Sequence, residues 1–160
     1  MNTESPLSGK TILAVDDEPD VLATLEELLD MCQMIKKSNY DDAVAYLDKE
    51  RPDLAILDIM GVNGFDLLER CVAKKIDAVM LTANAFSLES LKKSLDLGAR
   101  AYLPKEKMAD IVSFLEDVVT MEHKENWQRL FNRLGELLNA TFGPNWNKDL
   151  IEIGPFIVPE

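Results

Sequence analysis

Apolar residues along the first 120 positions alternate between two rhythms: short unbroken runs and stripes at helical spacing. "TILAVD" (11–16), "LAILDI" (54–59) and "DAVMLT" (77–82) are unbroken runs, which predict strands buried on both faces. "MIKKS" (34–38) is a weaker strand near an edge, and "AYLP" (101–104) a short last strand. Between them lie helices. Pro19 suits a first helical turn, with Val21, Leu22, Leu25, Leu28 and Leu29 as one stripe. Ala43, Val44 and Leu47 mark a second helix closed by Pro52. Phe65, Leu67, Leu68 and Val72 start a third beyond the Gly64 turn. Ser87 caps a fourth, with Leu88, Leu91, Leu95 and Leu97, and Gly98 stops it. A fifth runs from Ala109 through Ile111, Leu115, Val118 and Val119. Strands that alternate with helices predict an α/β fold whose parallel sheet is covered on both faces, because parallel strands need crossovers.

A tail follows. Trp127, Leu130, Phe131, Leu134, Leu137, Leu138 and Phe142 repeat at helical spacing, and Gly143-Pro144 ends the helix. The polar run Glu122 to Asn126 predicts a break before it, and "DLIEIGPFIVP" reads as irregular or strand-like. The apolar face must be buried. Three readings are open: packing on the rest of the chain, a homodimer through this helix, or a partner's groove. The homodimer is the expectation if the helix projects. The only histidine, His123, reads as a solvated helix residue.

Composition narrows the function. A net charge of −12 argues against a nucleic-acid surface and against affinity for anionic membranes. The opening "MNTESPLSGK" lacks the apolar core of a signal peptide, and no run reaches membrane-spanning length. With Cys32 and Cys71 read as reduced core thiols, a cytoplasmic protein is expected.

The candidate chemistry lies at one end of the predicted sheet. Ligands of open α/β sheets sit beyond the carboxyl ends of the strands, where strand order switches. Asp16 and Asp17 follow the first strong strand and Asp58 the second, so neighbouring strands would gather three carboxylates. Such a group repels itself unless a cation fills it, and hard oxygen donors suit Mg²⁺. Thr82 ends the next strand and Lys105 follows the last. A carboxylate can attack phosphorus to give an aspartyl phosphate, while Mg²⁺ and an ammonium neutralise the phosphoryl oxygens. Taken singly, each residue has a plainer reading: Asp16 and Asp17 as a helix cap, Thr82 as a turn former, Lys105 as a solvated charge.

The pieces "ILAVDDEPD", "LAILDI", "VMLTANA" and "AYLPK", in this order and spacing, resemble the receiver domain of bacterial two-component response regulators over residues 8–121. Residues 122–160 form a helical extension outside the resemblance. The resemblance implies a flavodoxin-like sheet of order 2-1-3-4-5 and a phosphorylation-controlled switch of a phosphorelay. It assigns Asp58 as acceptor, supplied by a histidine kinase or phosphotransfer protein. It implies Mg²⁺ held by Asp17, Asp58 and the Met60 main-chain carbonyl, with Asp16 acting through water. Thr82 and Lys105 would contact the phosphoryl group, and Tyr102 matches the aromatic residue that changes rotamer on activation. The chain would be no enzyme, with at most slow self-dephosphorylation. The alternative is a metal-dependent phosphohydrolase using the same intermediate. Such enzymes need a second Asp two residues on, where this chain has Met60.

Two departures stand out. "IMGVN" between Asp58 and Gly64 is about two residues shorter than the family pattern, with Gly61 keeping the turn accessible. Pro104 precedes Lys105 instead of following it, so the family's cis peptide does not carry over.

Overall fold

The computed structural model describes residues 5–83, 87–144 and 146. Five parallel strands are β1 (Thr11–Val15), β2 (Gln33–Lys37), β3 (Leu54–Asp58), β4 (Asp77–Thr82) and β5 (Ala101–Pro104), in the order β2-β1-β3-β4-β5. Helices α1 (Pro19–Leu28), α2 (Tyr40–Lys49), α3 (Gly64–Ala73), α4 (Leu88–Leu97) and α5 (Ile111–Thr120) connect or follow them, and α6 (His123–Phe142) comes last. This is the flavodoxin-like architecture. Helices α1 and α5 pack together, as do α2 with α3 and α3 with α4.

Burial follows the rhythms. Every residue of β3 is buried, whereas β2 is half exposed, with Lys36 and Lys37 on the sheet edge. Such charges discourage pairing with a foreign strand. Helix α1 buries Val21, Leu22 and Leu25, and Leu29 just beyond it. Ser87 caps α4 by accepting from the Ser90 N–H at 3.0 Å, and Gly98 ends it at φ +96°.

Some expectations are corrected. The buried stripe of α3 is Gly64, Leu67, Leu68 and Cys71, and Val72 stands exposed at the margin of that face. Cys32 is only half-buried, its Sγ donating to the Leu7 carbonyl. Cys71 is a core thiol, pushed up to about 12 by burial. The fifth helix begins at Ile111, because Lys105–Asp110 forms a tighter 3₁₀ segment first.

The break before α6 falls at Met121 and Glu122, both extended. Helix α6 then folds back on β5 and α5 and does not project, removing the premise for a dimer through its apolar face. Trp127 is fully buried, and its indole N–H donates to the Ala99 carbonyl at 2.8 Å. Phe131 stacks between Trp127 and Trp146 at centroid distances of 5.5 and 5.4 Å. His123 is half-buried rather than solvated, with Nε2 3.0 Å from the same Ala99 carbonyl, and burial pulls its imidazole down. The stretch read as irregular or strand-like, beginning at Asp149, lies outside the described residues.

Candidate functional site

Strand order reverses between β1 and β3, and both strands end in acid at that point. In their register Val15 lies beside Leu57, so Asp16 and Asp58 leave the sheet side by side. Both are buried, at 1% and 6% exposure. Thr82, at the end of β4, is also buried, and Lys105 follows β5. Asp58, Thr82 and Lys105, together with Asp17, Glu18, Met60 and Gly61, line a cleft of about 130 Å³, and Asp16 lies behind Lys105.

Lys105 sits among the acids. Its Nζ lies 2.9 Å from Asp16 Oδ2, 3.3 Å from Glu18 Oε1 and 3.6 Å from Asp58 Oδ1. Burial pulls its ammonium down, but the Asp16 hydrogen bond and the charges of Asp16 and Asp58 hold it above the ordinary lysine value. Asp58 is pushed up to about 6, first by burial and then by Asp16, with Lys105 only partly offsetting them. Too few positive charges face too many negative ones.

Asp16 has two uses. Its Oδ1 accepts from the Glu18 N–H at 2.9 Å, closing the turn into α1, so the helix-capping reading is partly right. Its Oδ2 is buried and pairs with the Lys105 ammonium at 2.9 Å. One carboxylate oxygen from each of Asp16, Asp17 and Glu18 falls within 4.8 Å of the others.

The short loop after Asp58 works through its glycines. At Gly61, φ is +83°, and a Cβ there would fall 2.4 Å from Asp17 Oδ2. At Gly64, a Cβ would fall 2.0 Å from the Asp58 carbonyl oxygen. Only glycine lets the contracted loop lie against one acid and α3 start on the backbone of the other. The loop leaves the Met60 side chain 61% exposed on the cleft rim.

These residues fit a hard divalent cation. The donors are clustered carboxylate oxygens, their mutual repulsion exceeds what one lysine offsets, and Gly61 leaves space against Asp17. Asp17, Asp58 and the Met60 carbonyl are the ligands expected from sequence. Glu18, which sequence reasoning did not single out, stands on the cleft rim with its carboxylate on Lys105. Tyr102 lies away from the acids and is fully buried. Its hydroxyl hydrogen-bonds Ser90 Oγ and accepts from the Ser87 N–H at 3.3 Å, tying β5 to the start of α4.

The chain is similar to known proteins. The sequence model of the response regulator receiver domain matches residues 12–116. A two-component response regulator of Oryza sativa, ORR25, is 34% identical over 143 residues, covering 83% of this chain and 20% of that protein. Sporulation initiation phosphotransferase F of Bacillus subtilis is 30% identical over 105 residues, covering 62% of this chain and 84% of that protein. A response regulator from Thermotoga maritima shares the fold, with a TM-score of 0.64 at 18% identity over 71% of this chain and 99% of that one. The chain spans a fifth of the rice regulator and less than half of the regulatory protein VanRc of Enterococcus gallinarum.

Proposed function

This chain belongs to the response regulator receiver domain family, whose members are switches phosphorylated on aspartate, and on that premise we propose that Asp58 is its phosphoacceptor. The observation that carries the proposal is the pairing of buried Asp58 with Lys105 in an acid-lined cleft at the switch point of the sheet. The receiver spans residues 8–121, and residues 122–160 form an extension.

A carboxylate oxygen of Asp58 attacks the phosphorus of the donor, and the bond from phosphorus to the leaving group breaks with its electron pair. Lys105 moves from its acid partners to a phosphoryl oxygen, and the Thr82 hydroxyl donates to another. Asp17, Asp58, the Met60 carbonyl and, through water, Asp16 would hold Mg²⁺, which neutralises charge on the transferring group when bound. Met60 offers no acid or base two residues after the acceptor, so self-dephosphorylation is slow at most. The donor is a histidine kinase or phosphotransfer protein of a cytoplasmic phosphorelay. Phosphorylation biases two pre-existing states in which Thr82 and Tyr102 are differently placed.

Acetyl phosphate with Mg²⁺ tests this. Intact-mass analysis should show one added phosphoryl group on the full chain and none on Asp58→Asn. Labelling that persists in the variant would overturn the assignment.

A further inference from the structure

The acids share Lys105 unequally. Asp58 has the longest of its three contacts, and Glu18, on the solvent rim, lies closer at 3.3 Å. The Glu18 side chain is 57% exposed and makes no capping hydrogen bond to α1. The start of that helix is closed instead by the Glu18 backbone, whose N–H donates to Asp16 and whose carbonyl accepts from the Val21 N–H at 3.1 Å. The carboxylate is therefore dispensable to the fold, and among the described residues its side-chain partner is the Lys105 ammonium.

We infer that Glu18 is a positioning residue that holds the Lys105 ammonium on the rim and sets how readily an anionic phosphoryl donor recruits it. The inference rests on the reading of Asp58 as acceptor. A phosphoryl dianion entering the cleft must draw Lys105 away from Glu18 before the lysine can neutralise it. Buried Asp16 lies 2.9 Å from the same ammonium, and the exposed Glu18 contact is the weaker tether, the first to give way. Glu18 thus tunes donor binding while the chemistry stays with Asp58.

The test is a double-mutant cycle on the full chain with acetyl phosphate and Mg²⁺. Glu18→Gln should lower the half-saturating donor concentration about two- to fivefold, as expected for loss of one exposed ion pair. The maximal labelling rate should change little. In a Lys105→Met background the same substitution should have no effect. An equal effect in both backgrounds would reduce Glu18 to a general repulsive charge and overturn the inference. A fall in Mg²⁺ affinity on Glu18→Gln would overturn it too, by making Glu18 a metal ligand. If Lys105→Met labels too slowly to time, the Lys105 ε-methylene resonance decides. Without metal or donor, it should shift on Glu18→Gln, and an unmoved resonance contradicts the tether. That readout does not depend on which residue accepts phosphate, and persistent labelling of Asp58→Asn would separately identify a failure of the acceptor assignment.

Discussion

The two ends of β5 bury polar groups to opposite effect. Beyond its carboxyl end, Asp16, Glu18 and Asp58 all face the one Lys105 ammonium, and Asp58 is pushed up to about 6. Before its amino end, where α6 docks, most polar groups are answered. Ala99 accepts from Trp127, and Arg100 accepts from Asn126 through its carbonyl. The Arg100 guanidinium donates to the Val118 and Met121 carbonyls at 3.0 and 2.9 Å, although its Nε makes no hydrogen bond. Asp117 on α5 takes both Arg129 and Arg133 of α6, and the Arg133 guanidinium lies 3.8 Å from the Phe114 ring centroid. Satisfied groups hold a structure together. Excess negative charge at a cleft is kept despite its cost, which points to a cation that completes it.

Removing a hydrogen-bonded group at the docking end and a charge at the cleft should therefore have opposite signs. The largest effect belongs to the docking end. Trp127→Ala removes a fully buried indole and its hydrogen bond and should cost about 3–5 kcal/mol in denaturant unfolding. A loss under 1 kcal/mol would mean that α6 is not part of the cooperative unit.

At the cleft, Asp58→Asn should stabilise the protein by about 2 kcal/mol at pH 8 without divalent cations. The folded state raises the Asp58 pKa from 3.8 to about 6. The stability linked to that proton is therefore full below about pH 4 and lost as pH rises through about 6. The variant's advantage should shrink to nothing over that window. Paired unfolding curves at pH 4 and pH 8 check the sign, and a variant less stable than wild type at pH 8 contradicts it.

At the glycines the signs reverse, because backbone conformation and space decide there instead of charge. Gly61→Ala puts a Cβ at positive φ against Asp17 and should cost about 1–2 kcal/mol. It should also weaken Mg²⁺ binding, measured by titration. Gly135→Ala, inside α6 with nothing within 4 Å, should gain about 0.5–1 kcal/mol. The smallest effect is that of Arg129→Ala, whose exposed ion pair to Asp117 is worth about 0.5 kcal/mol at most.

The strands and five helices were legible because burial on two faces leaves unbroken apolar runs, and burial on one leaves a stripe. The acids were legible for a related reason: at the ends of β1 and β3, hydrophobicity gives way abruptly to charge. Glu18 was not singled out, because an exposed acid at a helix start is ordinary, and only its 3.3 Å approach to Lys105, 87 residues away, distinguishes it. The docking of α6 was also hidden. Its apolar stripe demanded a partner without naming one, and the Ala99 carbonyl that receives Trp127 carries no sequence signal. His123 reads as solvated in sequence for the same reason.

The most direct test is to label the full chain with acetyl phosphate and Mg²⁺, reduce the product with borohydride and map the peptides. Borohydride converts an acyl phosphate to an alcohol, so the phosphorylated aspartate is permanently marked. The mark should fall at position 58 alone. A mark at Asp16, at Asp17 or elsewhere, or none at all, would contradict the account.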